Sequence, residues 1–247
     1  MAAKVVYRKS PIQEAIIEIS FEIDSSWDQT VPGVLFSQIA DRYPQRKQTN
    51  LLNFEVRKSD IGIAPVMNQQ SRIQFWSEDG LNVIQVGVGN IIFNRLRPYD
   101  DWSSFLGRFE KDFPTFVEVA RPLSVKSIKL QYLNRPQILV NWSTASDYFR
   151  VGPQNPYEAA KKMRSFLWGV ELDCESDTIL TLECGNVDST ESEYKFRLDV
   201  TVESSKPRPV DINQIIEWLN FGHSEAELAF ESSITEKARK EFEYNVL

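Results

Sequence analysis

Ala15, Ile17, Ile19, Phe21 and Ile23 alternate without a break against Glu14, Ile16, Glu18, Ser20 and Glu22. Successive side chains of a strand point to opposite faces, so this stretch predicts a strand with one buried face and one acidic face. The same period of two returns twice. Ile128, Leu130, Tyr132 and Asn134 oppose Lys129, Gln131, Leu133 and Arg135, while Tyr194, Phe196, Leu198, Val200 and Val202 oppose Lys195, Arg197, Asp199, Thr201 and Glu203. A chain with several one-sided strands must build sheet and cover one face of it.

The cover is legible as helical stripes. Val34, Leu35, Phe36 and Ile39 give a short one that stops near Tyr43, because Pro44 follows. Asp100 and Asp101 precede a stripe of Trp102, Phe105, Leu106, Phe109 and Phe113, and an acidic residue there caps a helix. Asp211, with Gln214 three residues on, opens a third stripe through Ile212, Ile215, Ile216, Leu219, His223, Ala226 and Phe230. Short helices are expected at 157–163 and 235–242. Strand signals at 51–56, 71–77, 81–88 and 90–96 read as an antiparallel meander with turns at Glu78-Asp79-Gly80 and Gly89-Asn90, and two more strands fall at 166–174 and 178–187. Strands in runs joined by tight turns predict an α+β fold, with antiparallel sheets covered by helices, in place of a doubly wound parallel sheet. The loop-like stretch 136–156 places a soft boundary between halves 1–140 and 141–247, two related α+β units or one compact body.

At 247 residues and 42% hydrophobic the chain can bury a substantial core. Its net charge of −7 and pI near 5.0 remove the diffuse basic surface that phosphate backbones require, so nucleic acid is the disfavoured partner. No apolar run reaches the length of a leader or a membrane span, which gives a cytoplasmic expectation without membrane attachment. Cys174 and Cys184 are too few for a disulfide framework and read as reduced thiols, a single hairpin bridge being the alternative. One histidine and two cysteines, with no CxxC, HxxxH, phosphate-loop glycine pattern or serine-hydrolase elbow, give no metal, no cofactor and no recognisable catalytic group. His223, on an apolar stripe, reads as a core or interface residue.

What remains is a set of polar residues beside aromatics at strand ends: Arg95, Arg97 and Tyr99; Tyr132, Asn134 and Arg135; Arg197 and Asp199; with the Glu14/Glu18 face opposite. Two readings stand side by side. Either these groups line a cleft between the halves that holds a small anionic ligand or nucleotide, or they form an internal Arg/Glu ladder across the sheet.

The segments PIQEAIIEISFE, IIFNRLRPYDDWSSF, VKSIKLQYLNRP, SDYFRVGP, FRLDVTV and FGHSEAELAFESSITEKARKEF together resemble, in order over nearly the whole chain, a sporadically distributed bacterial and archaeal family of unknown function. The matching positions are Pro11, Glu14, Glu18 and Phe21; Arg95, Pro98, Tyr99 and Trp102; Tyr132, Asn134 and Arg135; and His223, Phe230, Glu231 and Thr235. Pro136 departs from the pattern. The resemblance implies stand-alone proteins of about this length in mobile or defence-associated settings. The functional expectation is a non-enzymatic binding or regulatory protein with a protein partner, an accessory or antitoxin-like component of a defence or toxin system. The small-anion or nucleotide site, with enzymatic activity open, is the alternative.

Overall fold

A computed structural model of the protein describes residues 5–24, 27–59, 62–136, 138, 142–152, 165–187 and 195–246. In chain order the elements are β1 (Val5–Tyr7), β2 (Ile12–Glu22), α1 (Val31–Ile39), β3 (Gln45–Ser59), β4 (Gly62–Trp76), β5 (Asn82–Gly87), β6 (Asn90–Leu96), α2 (Trp102–Ala120) and β7 (Ser124–Asn134). A 3-10 stretch at Trp142–Asp147 precedes β8 (Leu167–Cys174), β9 (Thr178–Val187), β10 (Lys195–Ser204), α3 (Ile212–Ser233), α4 (Glu236–Glu241) and β11 (Tyr244–Val246). The helix expected at 157–163 and the Tyr194 end of the last long strand lie outside the described residues.

Nine strands form one antiparallel sheet in the order β3-β4-β5-β6-β2-β7-β10-β9-β8, and β1 with β11 makes a separate pair. The fold is α+β. Strands from both 1–140 and 141–247 enter the same sheet, because β10 pairs with β7 and β7 with β2. The meander runs β3 to β6 as its turns predict, but β3 and β4 pair over fifteen residues each. A backbone ladder continues past the point where apolar alternation fades, so the short apolar runs understate it.

The buried face follows from the alternation. Ala15, Ile17 and Ile19 of β2, Ile128 and Leu130 of β7, and Leu198, Val200 and Val202 of β10 are all fully buried. α2 seals the β2–β6 region with aromatic rings: Phe113 and Phe116 pack on Phe21, and Phe109 meets Phe93 edge-on with centroids 5.1 Å apart. Its N-cap is Asp101, which accepts from Ser104 N. α2 then runs through Pro114 to Ala120, beyond the stripe's apparent end at Phe113, since Phe116 at 0% exposure extends the buried face another turn. α3, capped by Asp211 accepting from Asn213 N and Gln214 N, lies over β10 and β7, with Gly222 against Val202 and Trp218 Nε1 donating to Thr178. Cys174 and Cys184 are free. They occupy opposite ends of the β8–β9 hairpin, Cys174 facing Thr178 and Cys184 facing Trp168, roughly 20 Å apart at strand rise, far beyond disulfide reach.

Candidate functional site

Tyr132 and Asn134 share the helix-covered face at the end of β7, and there the sheet, the loop into α2 and the middle of α3 enclose a pocket of about 150 Å3. Pro11 and Ile12 at the start of β2 form one wall, Tyr99 to Trp102 a second, and His223, Ala226, Glu227, Phe230 and Glu231 a third, with Tyr7 of β1 closing the end. The α3 contribution follows from helical spacing: His223, Glu227 and Glu231 stand four residues apart and so stack along one face.

The polar groups are ordered. Trp102 stacks on His223 with ring centroids 4.6 Å apart and planes 15° from parallel, and its indole N–H donates to Asn220 Oδ1 at 2.8 Å. Tyr132 Oη and His223 Nδ1 share a hydrogen bond of 2.9 Å. Tyr99 meets Tyr132 at 88°. Burial raises both phenols above the ordinary tyrosine range, and the neighbouring Glu227 charge adds to the rise at Tyr132. Tyr7 donates to Glu231, which also accepts from Arg239 Nε at 2.8 Å. Arg97 donates to the carbonyls of Pro11 at 3.0 Å and Arg135 at 3.2 Å, which joins the start of β2 to the end of β7.

Of the residues read from the sequence as candidate cleft groups, only Tyr99, Tyr132 and Asn134 line this pocket. Arg95 and Arg97 stand behind it, Arg95 3.2 Å from Asp100. Glu14, Glu18, Arg135, Arg197 and Asp199 lie on the opposite face of the sheet, where neighbouring strands pair them. Asp199, 4% exposed in its side chain, is held by Arg135 and by Arg197 at 3.5 Å, and Arg197 reaches Glu183 at 3.6 Å. Glu18 lies 3.8 Å from Arg72 and 4.0 Å from Lys129, which also reaches Glu203 at 3.4 Å. The set does not converge on one cleft, because neighbours such as Asn134 and Arg135 must face opposite ways. Reading the residues themselves missed the contributions of Tyr7 and Glu227 and set His223 aside, while Trp102, on a helical stripe, and Glu231 were otherwise named only as positions of the family resemblance. The signal on α3 was the Glu227/Glu231 pair flanking the apolar stripe at helical spacing.

Among the described residues no group of three or more His, Cys, Asp or Glu is arranged to hold a metal ion, and no helix is long and apolar enough to cross a membrane. Burial pushes the Cys184 thiol up to about 12, so it stays protonated at neutral pH. Comparison with protein-family models, curated proteins and solved structures returned no match.

Glu14 offers a test of the opposite face. Burial raises its carboxyl above the ordinary range, against the hydrogen bond from Asn94 and the charge of Arg135. A raised carboxylate pKa means that the folded state disfavours ionisation, so stability falls as pH rises from the unfolded value of about 4.3 through the folded value. Glu14→Gln, which keeps an acceptor for Asn94, is therefore expected to show a higher urea midpoint than the parent at neutral pH and an unchanged one below about pH 4. A lower midpoint at neutral pH contradicts the assignment.

Proposed function

We propose that the protein is a non-catalytic binding protein that engages another protein, and that the Tyr132/Trp102/His223 pocket is where the partner is held. The observation that carries this reading is the pocket's size and make-up. At about 150 Å3 it accommodates one side chain, well below the roughly 300–1,000 Å3 of small-molecule and cofactor sites. The arginines expected to hold an anion are engaged elsewhere: Arg135 and Arg197 with Asp199, Arg95 with Asp100, and Arg97 with backbone carbonyls. Several positions on which the family resemblance rests meet at this pocket, among them Tyr99, Trp102, Tyr132, His223 and Glu231. That resemblance supplies the setting: an accessory or antitoxin-like role in a bacterial defence or toxin system, acting in the cytoplasm.

The test is affinity capture from native cells at moderate salt with the parent chain and Trp102→Ala side by side, with mass spectrometry of bound proteins and small molecules. The reading expects a stoichiometric protein that the parent retains and Trp102→Ala loses. Retention of a small anion without any protein transfers the function to the ligand-handling alternative.

A further inference from the structure

The nine-stranded sheet ends at β8, and among the described residues no strand lies on its outer side. Asn186 N donates to Phe166 O at 3.4 Å, in the register that β8 keeps with β9 unbroken from Leu167 to Cys174. Hydrogen-bonding direction alternates along an antiparallel strand. The N–H and C=O groups of Leu167, Gly169, Glu171 and Asp173 therefore point away from β9, into the open. Natural edges are blunted by proline, lysine, bulges or inward-pointing charges. The strand LWGVELDC has no proline or lysine, and its register has no bulge. Trp168, Val170, Leu172 and Cys174, which stand beside the buried Cys184, Leu182, Leu180 and Thr178 on the helix-covered face, carry no charge.

The two faces of this edge ask for different residues. Leu172 is exposed at the margin of the covered face, so a strand laid against β8 gains apolar burial there. On the other face Glu171 and Asp173 are exposed and share one side of the strand. Among the described residues neither pairs with a lysine or arginine. Arg197 and Lys206, which reach this hairpin, pair with Glu183 and Asp177. A second copy of β8 would bring the same acids to that face, and like charges across a ladder destabilise it. A strand with basic residues at alternate positions neutralises them. We propose that the β8 edge accepts an extended segment of a partner protein, added antiparallel, with apolar residues beside Val170 and Leu172 and basic residues opposite Glu171 and Asp173. The edge lies three strands from β7 and the Tyr132 pocket, and neither site depends on the other.

The indole N–H of Trp168, assigned by Trp168→Phe, is the reporter in the 15N-labelled chain. The chain is titrated with acetyl-KVKVKVK-amide, with acetyl-KKKKVVV-amide of the same composition and charge, with acetyl-EVEVEVE-amide, and with the first peptide methylated at each lysine backbone nitrogen. A saturable shift in the millimolar range is expected for the first, and binding about tenfold weaker or less for the others, which lack the alternation, the charge or the donors facing β8. Gly169→Pro removes an outward N–H and no bond to β9, a change that edge strands tolerate, and should weaken the first peptide about tenfold. Gly169→Ala keeps that N–H, and its Cβ would stand 3.7 Å from Glu183 Cγ and Leu182 O, in ordinary contact, so it should bind as the parent does. Glu171→Gln combined with Asp173→Asn should also cost about tenfold, roughly threefold for each pair. Equal binding of the clustered, acidic or methylated peptide, or the absence of any shift, overturns the proposal. So does a dimer of the chain that Gly169→Pro disperses, which gives the edge to a second copy. The peptide comparison on the parent chain decides the matter even if Gly169→Pro fails to fold.

Discussion

Phe109→Ala is expected to lower stability by about 3–5 kcal/mol, the range for emptying a fully buried aromatic site. Phe109 is 0% exposed. It stacks on Phe113 with centroids 4.8 Å apart and meets Phe93 of β6 edge-on, so α2 and the sheet both lose contacts. The rings around it belong to a helix clamped at its start by the Asp101 cap and to a strand paired on both edges, which leaves little freedom to collapse into the void. Against a total stability of about 5–15 kcal/mol typical of such proteins, the variant should be partly or wholly unfolded. Urea denaturation followed by circular dichroism measures it, and a loss below about 1 kcal/mol would refute the packing argument.

The second large effect is expected at a polar position. Asp112 on α2 is 2% exposed and accepts from Arg42 Nε and from the Tyr43 hydroxyl, both at 2.8 Å. Burial, and then the Asp112 charge, raise the Tyr43 phenol above the ordinary tyrosine range, so that hydroxyl stays a donor at physiological pH. Asp112→Ala leaves it without an acceptor in a site where Tyr43 itself is 4% exposed, and deprives Arg42 of its buried counter-charge. Such losses amount to about 2–4 kcal/mol together. Asp112→Asn, which keeps an acceptor without the charge, should lose about half as much. A double-mutant cycle with Tyr43→Phe separates the two contacts. If Asp112→Ala and Tyr43→Phe prove additive, the contact carries no coupling and the assignment fails.

These two residues mark what the sequence made legible. Phe109 lies on a stripe whose spacing announces its burial, as do the inward residues of β2 and β10. The caps at Asp101 and Asp211 follow from their position before such stripes. Asp112 breaks the stripe's chemistry while sharing its face, and only the approach of Arg42 and Tyr43 from the end of α1 explains its burial. The site divides in the same way. Tyr99, Tyr132 and Asn134 were legible as aromatic and polar groups at strand ends. That Arg135, one residue beyond Asn134, faces away from them follows from alternation. That His223 and the two α3 glutamates stand opposite them depends on where the helix lands on the sheet, a long-range packing outcome with no local signature. The β1–β11 pair, three residues on each side, is too short to carry a period at all.

The place of β2 in the sheet bears on how the chain reaches this structure as it is synthesised. β2 is the middle strand of nine, yet its ladder on one side joins Glu18 to Lys129, and the next ladder outward waits for Val200 to reach Tyr132. This strand, with one wholly apolar face, cannot be flanked on both edges until β7, about a hundred residues further along the chain, has been made. Contacts so distant in sequence form slowly, and an unpaired, one-sided hydrophobic strand is what chaperones bind and aggregates recruit. The central strand of the finished sheet is thus one whose second edge is closed only by a distant part of the chain.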